Sequence, residues 1–353
     1  MTPPFDFAIV GAGIAGASLA FRLAPQASVL LLEAEIQPGL HSTGRSAAMF
    51  MESYGPPQVR ALTRASRHFY ESPPAGFAGV PLVGPRGALY AGWQGQQAAL
   101  DQLQADLQAT GTVVERLDAA ATLARVPVLR AEGLLGGVWE ADALDIDVDA
   151  LHQGFLRGAR RAGAELWLEA VLQAATPEAG AWVLRLADGR QASARVIVDA
   201  AGAWADEVAH RCGVMPLGIQ PKRRAAFTFD APEGVDTRAW PTVAGVAEDW
   251  YIKPDAGQLL GSPANADPVP PHDVQPEELD IALGIDAIQR DTTLTIRRPR
   301  RTWAGLRSFT PDGELAVGFD ARMPGFFWLA GQGGYGIQSA AGASALAASL
   351  LLG

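Results

Sequence analysis

Residues 5–33 decide the fold of this chain, and their sequence is FDFAIVGAGIAGASLAFRLAPQASVLLLE. The first six residues suit a short buried strand, a glycine-rich turn follows, and a helical pattern continues to about Leu23. Residues 28–32 form a second apolar run that ends at the acidic Glu33. Strand, glycine-rich turn, helix, strand and carboxylate in this order are typical of a dinucleotide-binding βαβ unit.

The three glycines of the turn have separate roles in such a unit. Gly11 permits the tight turn, Gly13 lets the backbone approach a pyrophosphate, and Gly16 lets the helix pack on the strand. The helix N-terminus then faces the phosphates with its partial positive charge. Glu33 is placed to accept hydrogen bonds from an adenosine ribose. This fingerprint does not separate FAD from NAD, and an ordinary βαβ turn is the structural alternative.

Composition and charge exclude several classes of protein. The 353 residues include 28 Lys+Arg and 38 Asp+Glu, which gives a formal net charge of −10. With 48% hydrophobic and 19% charged residues, the chain is expected to form a globular core. The acidic balance argues against a nucleic-acid partner and against docking on an anionic membrane. Cys212 is the single cysteine, and the five scattered histidines lack zinc-binding spacing, so neither a disulfide nor a metal site is expected.

No segment is expected to target or span a membrane. The longest apolar tract, at about residues 340–353, is shorter than the ~20 residues that a bilayer span needs. The N-terminus has no basic residue before its first apolar run and contains Asp6, which is unlike a secretory signal. A cytoplasmic protein without a transmembrane segment is therefore predicted.

The rest of the chain shows no internal repeat and no low-complexity linker, so its domains are expected to interleave. Periodicity and capping signals predict helices over 58–71 and 96–108, from Asp147 to about Gly163, and over 277–288. Strands are predicted over 194–199 and 326–330, with several strand-like runs between 221 and 262.

Two further segments suit a large extended cofactor. Residues 37–46, QPGLHSTGRS, form a polar loop whose small hydroxyl side chains can bond to phosphates or to a ring. Residues 326–338, FFWLAGQGGYGIQ, form a strand, a glycine turn and a helix start that can place N–H groups beside a flavin O2 or N1. A plain surface loop and a close-packed crossover are the structural alternatives.

Five motifs carry a family resemblance over nearly the whole chain. They are HSTGRSAA at 41–48, VDAAGAW at 198–204, PKRR at 221–224, GLRSF at 305–309 and GQGGYGIQ at 331–338. With the N-terminal fingerprint they resemble the D-amino acid oxidase and glycine oxidase superfamily of FAD enzymes, and within it the D-arginine dehydrogenases most closely.

The resemblance implies an α/β flavoprotein with two interleaved domains. A discontinuous, Rossmann-like FAD-binding domain would comprise residues 1–80, 148–215 and 304–353. A mixed-sheet α+β substrate domain would comprise residues 81–147 and 216–303. Sarcosine oxidases of this superfamily tether their flavin through a cysteine at a position that corresponds here to Arg307, and Cys212 lies elsewhere. Noncovalent FAD is therefore expected.

The resemblance also implies which residues contact the FAD. They lie in the N-terminal fingerprint, the loop after it, the middle strand region and the C-terminal glycine turn: Gly11, Gly13, Ile14, Ala15, Gly16, Glu33, Ala34, His41, Ser42, Thr43, Gly44, Arg45, Ser46, Ala47, Ala48, Met49, Val171, Ala201, Gly202, Trp204, Gly305, Arg307, Gly333, Gly334, Tyr335, Gly336, Ile337 and Gln338.

For the substrate, the resemblance places Arg223 and Arg307 at a carboxylate, which arginine binds bidentately. Neighbours alternate faces along a strand, so Lys222 and Arg224 should point away if Arg223 points in. An ordinary salt bridge is the alternative for each arginine. The resemblance further places Tyr54, on a mobile covering loop, and Tyr251 in the pocket, with Gly334 and Gln338 at the substrate amine and the flavin edge.

The pocket departs from the D-arginine dehydrogenases at two positions. Met49 replaces a histidine, and Gly87 replaces a glutamate that would pair with a cationic side chain. Without that glutamate, a buried guanidinium loses its counter-charge. Met49 and Met51 offer apolar surface and Gly87 is expected to offer space, so apolar or aromatic side chains are predicted to be preferred.

The predicted function is therefore that of an FAD-dependent D-amino acid dehydrogenase or oxidase. Hydride would pass from Cα to flavin N5, and the resulting imino acid would hydrolyse in water. No side-chain base is obvious, and none is required if the amine reacts in its neutral form. Oxidation of glycine, N-methyl amino acids or 2-hydroxy acids is one alternative, and a flavin-binding protein without turnover is another. The electron acceptor, O₂ or a quinone, stays open.

Overall fold

The computed structural model describes residues 3–353, which contain twenty strands and eight α-helices. In chain order the strands are β1 (Phe5–Val10), β2 (Val29–Leu32), β3 (Met49–Phe50), β4 (Val83–Pro85), β5 (Ala88–Trp93), β6 (Val114–Leu117), β7 (Leu134–Glu140), β8 (Leu144–Ile146), β9 (Glu165–Trp167), β10 (Leu172–Glu178), β11 (Ala181–Leu186), β12 (Gln191–Asp199), β13 (Gln220–Phe229), β14 (Thr242–Gly245), β15 (Tyr251–Asp255), β16 (Gln258–Ser262), β17 (Asp267–Pro268), β18 (Arg301–Phe309), β19 (Ala316–Phe319) and β20 (Phe326–Ala330). The helices are α1 (Ile14–Leu23), α2 (Pro57–Glu71), α3 (Gln97–Ala109), α4 (Ala119–Arg125), α5 (Val148–Arg161), α6 (Ala205–Arg211), α7 (Glu278–Asp291) and α8 (Gly336–Leu352).

The first sheet has eight strands and a Rossmann-like centre. Its order is β10-β11-β12-β1-β2-β9, with β20 beside β12 and β19 beside β20. The strands β20, β12, β1, β2 and β9 run parallel, with Val10 opposite both Leu32 and Asp199. Because parallel strands end at one edge, the loops after β1, β2, β12 and β20 meet there. Those loops carry four of the segments that the sequence singles out.

The second sheet has nine strands and is mixed, as predicted. Its order is β17-β13-β16-β15-β14-β5-β7-β6, with β18 along β13. Only β14 and β5 run parallel to each other among its described pairs. A small sheet, β3-β8-β4, completes the strands. Since β18 pairs with β13 from residue 301 to 309, the domain boundary predicted at 304 falls inside a strand of this sheet.

Helices α1, α5 and α8 contribute to the main core on one face of the first sheet. Asp147 caps α5 as predicted, because its Oδ1 accepts a hydrogen bond of 2.8 Å from the Ala150 N–H. α8 lies so close to α2 that a Cβ on Gly342 would sit 2.3 Å from the Leu62 carbonyl oxygen. The predicted α/β fold class is confirmed. No helix within residues 3–353 is long and apolar enough to cross a membrane.

Candidate active site

Two adjoining cavities lie where the edges of the two large sheets meet. The larger, about 480 Å³, runs along the carboxyl ends of β1, β2 and β12 to the turn after β20. The smaller, about 190 Å³, lies between the Tyr54 loop and strands β5, β13, β14 and β15. The residues that line both are Ser46, Ala47, Arg224, Tyr251, Arg307, Gly334 and Ile337. The two cavities therefore share a wall that contains both arginines.

The glycine-rich turn forms one wall of the larger cavity. Gly11 has φ +102°, and a Cβ there would lie 2.5 Å from the Ala200 carbonyl oxygen. A Cβ on Gly16 would lie 1.9 Å from the Gly11 carbonyl oxygen, so this position is closed to side chains by α1 packing on the turn. Gly13, the N-cap residue of α1, has no side chain to cap the helix, and Thr43 Oγ1 accepts only from the Ile14 N–H, at 3.0 Å. The first N–H groups of α1 therefore face the cavity, where they suit an anion.

Glu33 occupies the cavity wall at the end of β2. Its Oε2 accepts from the Ala12 N–H at 3.1 Å and its Oε1 accepts from the Glu35 N–H at 3.0 Å. Burial raises its pKa despite these donors. A carboxylate fixed in this way keeps lone pairs for hydroxyl groups of a bound ribose.

The loop after β2 supplies His41 and Arg45. His41 Nε2 lies 2.9 Å from Glu35 Oε1, and its ring lies 4.7 Å from that of Trp204. The Nδ1 atom of His41 is buried and has no hydrogen-bond partner within residues 3–353. Arg45 instead bonds to protein groups, with Nη1 donating to the Val274 carbonyl at 2.9 Å and Nη2 to Asp273 at 2.5 Å. Arg45 therefore ties the loop 269–277 over the cavity.

Most of the predicted cofactor residues border the two cavities. Those lining the larger cavity are Gly11, Gly13, Ile14, Ala15, Glu33, Ala34, His41, Ser42, Thr43, Arg45, Ser46, Ala47, Val171, Ala201, Gly202, Trp204, Gly305, Arg307, Gly333, Gly334, Gly336 and Ile337. Ala48, Met49 and Gln338 line only the smaller cavity. Gly16, Gly44 and Tyr335 line neither, because Gly16 and Gly44 pack against neighbouring backbone and Tyr335 lies against Tyr54.

The larger cavity fits an extended dinucleotide. Its wall has a carboxylate at Glu33, the start of α1, and the Nδ1 of His41, which makes no hydrogen bond to any described residue and lies 3.9 Å from Asp273 Oδ1. Beside the smaller cavity, the glycine turn and the start of α8, which also lacks a side-chain cap, complete the wall. The carboxylate suits a ribose, the start of α1 suits a pyrophosphate, and the glycine turn with the start of α8 suits an electron-accepting ring.

Two guanidinium groups face the smaller cavity, together with two tyrosine hydroxyls. Arg307 Nη1 lies 3.4 Å from the Tyr54 hydroxyl, and Tyr251 lines the cavity wall with Arg224. Burial, and then the positive charge of Arg307, lower the pKa of Arg224. Among the described residues that line this cavity, the sole carboxylate is the exposed Glu248, at the rim. Two close positive charges without a buried counter-ion form a site for an anion.

The predicted orientation of Arg223 is wrong. Alternation along β13 holds, but the face is the opposite one: Arg224 points into the cavities, and Arg223 lines neither. Arg223 forms ion pairs with Asp280 at 3.0 Å, with Asp267 at 3.5 Å and with Glu277. These carboxylates follow β16 in the sequence. The PKRR motif alone therefore could not indicate that they pair with Arg223.

The predicted space at Gly87 is also absent. Gly87 has φ +73°, and a Cβ there would lie 1.9 Å from Cη2 of Trp139. The residue lines neither cavity, although its neighbour Ala88 does. The pocket is instead bordered by side chains that sequence reasoning missed: Leu89, Tyr90, Arg224, Thr242, Glu248 and Trp250. They come from β5, β13, β14 and the loop before β15, so only the pairing of these strands brings them together.

The loop that carries Tyr54 is held from beneath by two side-chain groups. Gln338 Nε2 donates to the Tyr54 carbonyl at 3.2 Å and to Thr63 Oγ1 at 3.0 Å. The Ser53 hydroxyl donates to Glu140 Oε2 at 2.8 Å. Burial of Glu140 raises its pKa to about 7. Gln338, which also lines the smaller cavity, therefore helps to fix the position of the Tyr54 loop.

Comparison with known proteins places this arrangement in a family. The model of the FAD-dependent oxidoreductase family DAO matches residues 6–350. N-methyl-L-tryptophan oxidase of Escherichia coli K12 is 24% identical over 275 residues, which are 74% of this chain and 68% of that protein.

Solved structures show the same fold. Glycine oxidase from Geobacillus kaustophilus, 22% identical, superposes with a TM-score of 0.86 and covers 99% of this chain and 95% of its own. FAD-bound L-alpha-glycerophosphate oxidase from Mycoplasma pneumoniae, 15% identical, superposes with a TM-score of 0.89 over 100% and 96%. The chain belongs to the DAO family of FAD-dependent oxidoreductases, and its cofactor is FAD.

Proposed function

We propose that the protein oxidises the Cα–N bond of free amino acids, with D-amino acids as its substrates. The observation that carries this proposal is the pair Arg224 and Arg307, which face one small cavity beside the cofactor cavity. An α-carboxylate is the anion that such a pair binds in a planar, bidentate manner. The resemblance of the motifs to D-arginine dehydrogenases supports the D configuration.

The chain's residues would bind and orient the substrate. Arg224 and Arg307 hold the carboxylate, while Tyr54 covers the cavity and excludes water. The residues around the larger cavity would hold FAD, which would supply the acceptor for a hydride from Cα, and the imino acid product would hydrolyse in water. Among the described residues lining the smaller cavity there is no histidine, aspartate or lysine, and Glu248 lies at the rim. The amine therefore enters the reaction in its neutral form, without a side-chain base.

The side-chain pocket supports apolar substrates. Met49, Met51, Leu89 and Trp250 line the smaller cavity, and Thr242 Oγ1 donates to Met49 Sδ at 3.1 Å. Glu52, which could in principle neutralise a basic substrate, is instead paired with Arg67 at 2.5 Å. Among the described residues of these walls, a buried cationic side chain would meet no carboxylate except the exposed Glu248 at the rim, and an unpaired buried charge is costly.

FAD is proposed to be held without a covalent bond. Cys212 is buried in the core beneath the opposite face of the first sheet and lines neither cavity. Acid precipitation should therefore leave the yellow flavin in the supernatant.

The carboxylate requirement is tested with D-methionine and its alcohol D-methioninol, which differ only in the carboxylate. Losing one partner of a desolvated charge pair typically costs about 2–5 kcal/mol. The ratio of kcat/KM between the acid and the alcohol should correspond to a free-energy difference of that size. Equal kcat/KM for the two compounds would show that the arginines bind something else.

Oxidation of N-methyl amino acids is the second candidate. The relative that is named N-methyl-L-tryptophan oxidase favours it. The same two arginines would serve its carboxylate, so N-methyl-D-methionine and N-methyl-L-tryptophan belong in every substrate comparison.

A further inference from the structure

We propose that Arg223 is a positioning residue: through Asn265 it fixes the orientation of the Arg224 guanidinium towards the smaller cavity. The inference rests on the proposed function, because it takes Arg224 to bind the substrate carboxylate. Arg223 itself is nearly buried, at 9% exposure, and lies on the face of β13 turned away from both cavities.

Arg223 gathers three carboxylates from two separate parts of the chain. Its Nε lies 3.0 Å from Asp280 Oδ2, on the first turns of α7, and its Nη2 lies 3.5 Å from Asp267 Oδ2, on β17. Its Nη1 bonds to Glu277, immediately before α7. One guanidinium thus holds β17 and the start of α7 against β13.

Asn265 connects this cluster to the active-site arginine. Its Nδ2 donates to Asp267 at 2.7 Å and to Asp280 at 3.1 Å, two carboxylates that Arg223 also contacts. Its Oδ1 accepts from the Ala225 N–H at 2.9 Å, and its main-chain carbonyl accepts from Arg224 Nε at 2.5 Å. The side chain of Asn265 is therefore fixed at both ends, and its carbonyl is fixed with it.

The anchored Nε has a consequence for binding. Because the Arg224 Nε donates to the Asn265 carbonyl, the two Nη groups of Arg224 are the ones that face the cavity. The positive charge of Arg307 repels Arg224 and would turn it away if the wall carbonyl were free to move. The cluster around Arg223 keeps the two guanidinium groups together before a substrate arrives, which is preorganisation for an anion.

The test is a double-mutant cycle on the FAD-loaded enzyme, with benzoate as a carboxylate probe that cannot react. Its dissociation constant is measured from the change in flavin absorbance, and KM and kcat for D-methionine are measured beside it. Arg223→Gln should raise the benzoate dissociation constant and the KM about tenfold, with kcat changed much less. In the Arg224→Met background the same substitution should have no further effect.

Two variants sharpen the experiment. Asn265→Ala breaks the same chain without removing a charge, so it should reproduce the KM effect and decide the matter if Arg223→Gln does not fold. Arg300→Gln removes an exposed arginine that pairs with Asp230 at the far end of the same strands, and it should leave both constants unchanged.

Three results overturn the inference. Unchanged benzoate binding in Arg223→Gln and Asn265→Ala, with weakened binding in Arg224→Met, removes the positioning role and keeps the proposed function. Equal losses for Arg223→Gln with and without Arg224 show that Arg223 acts elsewhere. Unchanged binding in Arg224→Met itself removes the carboxylate site, and the proposed function falls with the inference.

Discussion

Arg224 and Arg307 are the residues on which substrate capture depends. Each contributes a positive charge to a cavity whose only carboxylate among the described lining residues is the exposed Glu248 at the rim. Replacing either by methionine should lower kcat/KM for an amino acid by about 2–5 kcal/mol, because a buried carboxylate then loses a partner.

Arg301→Met is the matched control for these two variants. It lies on β18 with Arg307 but is exposed and borders neither cavity. If the Arg224 and Arg307 variants behave like Arg301→Met, the substrate carboxylate binds somewhere else.

The same residues show what the sequence could and could not predict about the site. The family resemblance of the PKRR motif placed Arg223 in the pocket, and strand alternation then turned Arg224 away, so an arginine of β13 was predicted but the wrong one was chosen. The choice itself depended on Asn265 and on the carboxylates of β17 and α7, which approach β13 only after the chain has folded. Arg307, by contrast, lines both cavities, as the resemblance of the GLRSF motif implies.

At the scale of single elements, the start of β5 is closed to any side chain at Gly87. Gly87→Ala places a Cβ into the Trp139 ring and also forces an alanine into φ +73°. Gly95→Ala, just after β5, has φ +90° but nothing within 4 Å of its Cβ. The Gly95→Ala variant, in this exposed turn, should lose about 1–3 kcal/mol of unfolding free energy from backbone strain alone.

Gly87→Ala should lose more than Gly95→Ala, because displacing a packed ring adds about 1–3 kcal/mol. Urea denaturation of the two variants measures the difference. Equal losses would mean that Trp139 moves freely, and that space beside the pocket is available after all.

The loop that covers the smaller cavity is anchored through Ser53 to a pH-sensitive group, Glu140 at the end of β7. Burial raises the pKa of Glu140 to about 7, above its usual value of about 4.5. Between these values the folded protein binds more protons than the unfolded chain, so this group's contribution to stability is lost as pH rises from about 4.5 to 7.

Glu140→Gln removes this titration but keeps an oxygen to accept from Ser53. The variant should therefore gain stability relative to the native protein at pH 8, and gain less at pH 5. Thermal denaturation at both pH values measures the effect, with the exposed Glu132→Gln as control. A gain that is equal at the two pH values would show that Glu140 is ionised throughout.

At the scale of the whole molecule, the fold was the most predictable feature. Residues 5–33 alone carry a strand, turn, helix and strand whose burial follows from local pattern, and the structure has them as β1, α1 and β2. The second sheet was predictable in kind but not in pairing, because β14 joins β5 across about 150 residues of sequence. The pocket walls depend on that pairing, so their composition could not be predicted.

The pocket as a whole predicts a side-chain preference. Burying an apolar side chain gains ~25 cal/mol per Å², whereas an unpaired charge on the same walls costs far more. kcat/KM for D-methionine, D-leucine and D-phenylalanine should exceed that for D-arginine and D-lysine. A tenfold preference for D-arginine, ~1.4 kcal/mol, would make Glu248 at the rim the counter-ion.

Anaerobic mixing of the FAD-loaded enzyme with single substrates tests the proposed reaction most directly. The panel contains D-methionine, L-methionine, N-methyl-D-methionine, N-methyl-L-tryptophan and the 2-hydroxy acid analogue of methionine, and the signal is loss of the flavin absorbance near its visible maximum. Dithionite, added last, shows that the flavin can be reduced. We expect D-methionine to bleach the flavin fastest, with the hydroxy acid and the L-enantiomer far slower. Rapid bleaching by the hydroxy acid or by an N-methyl compound, with none by D-methionine, would contradict the assignment of D-amino acids as substrates.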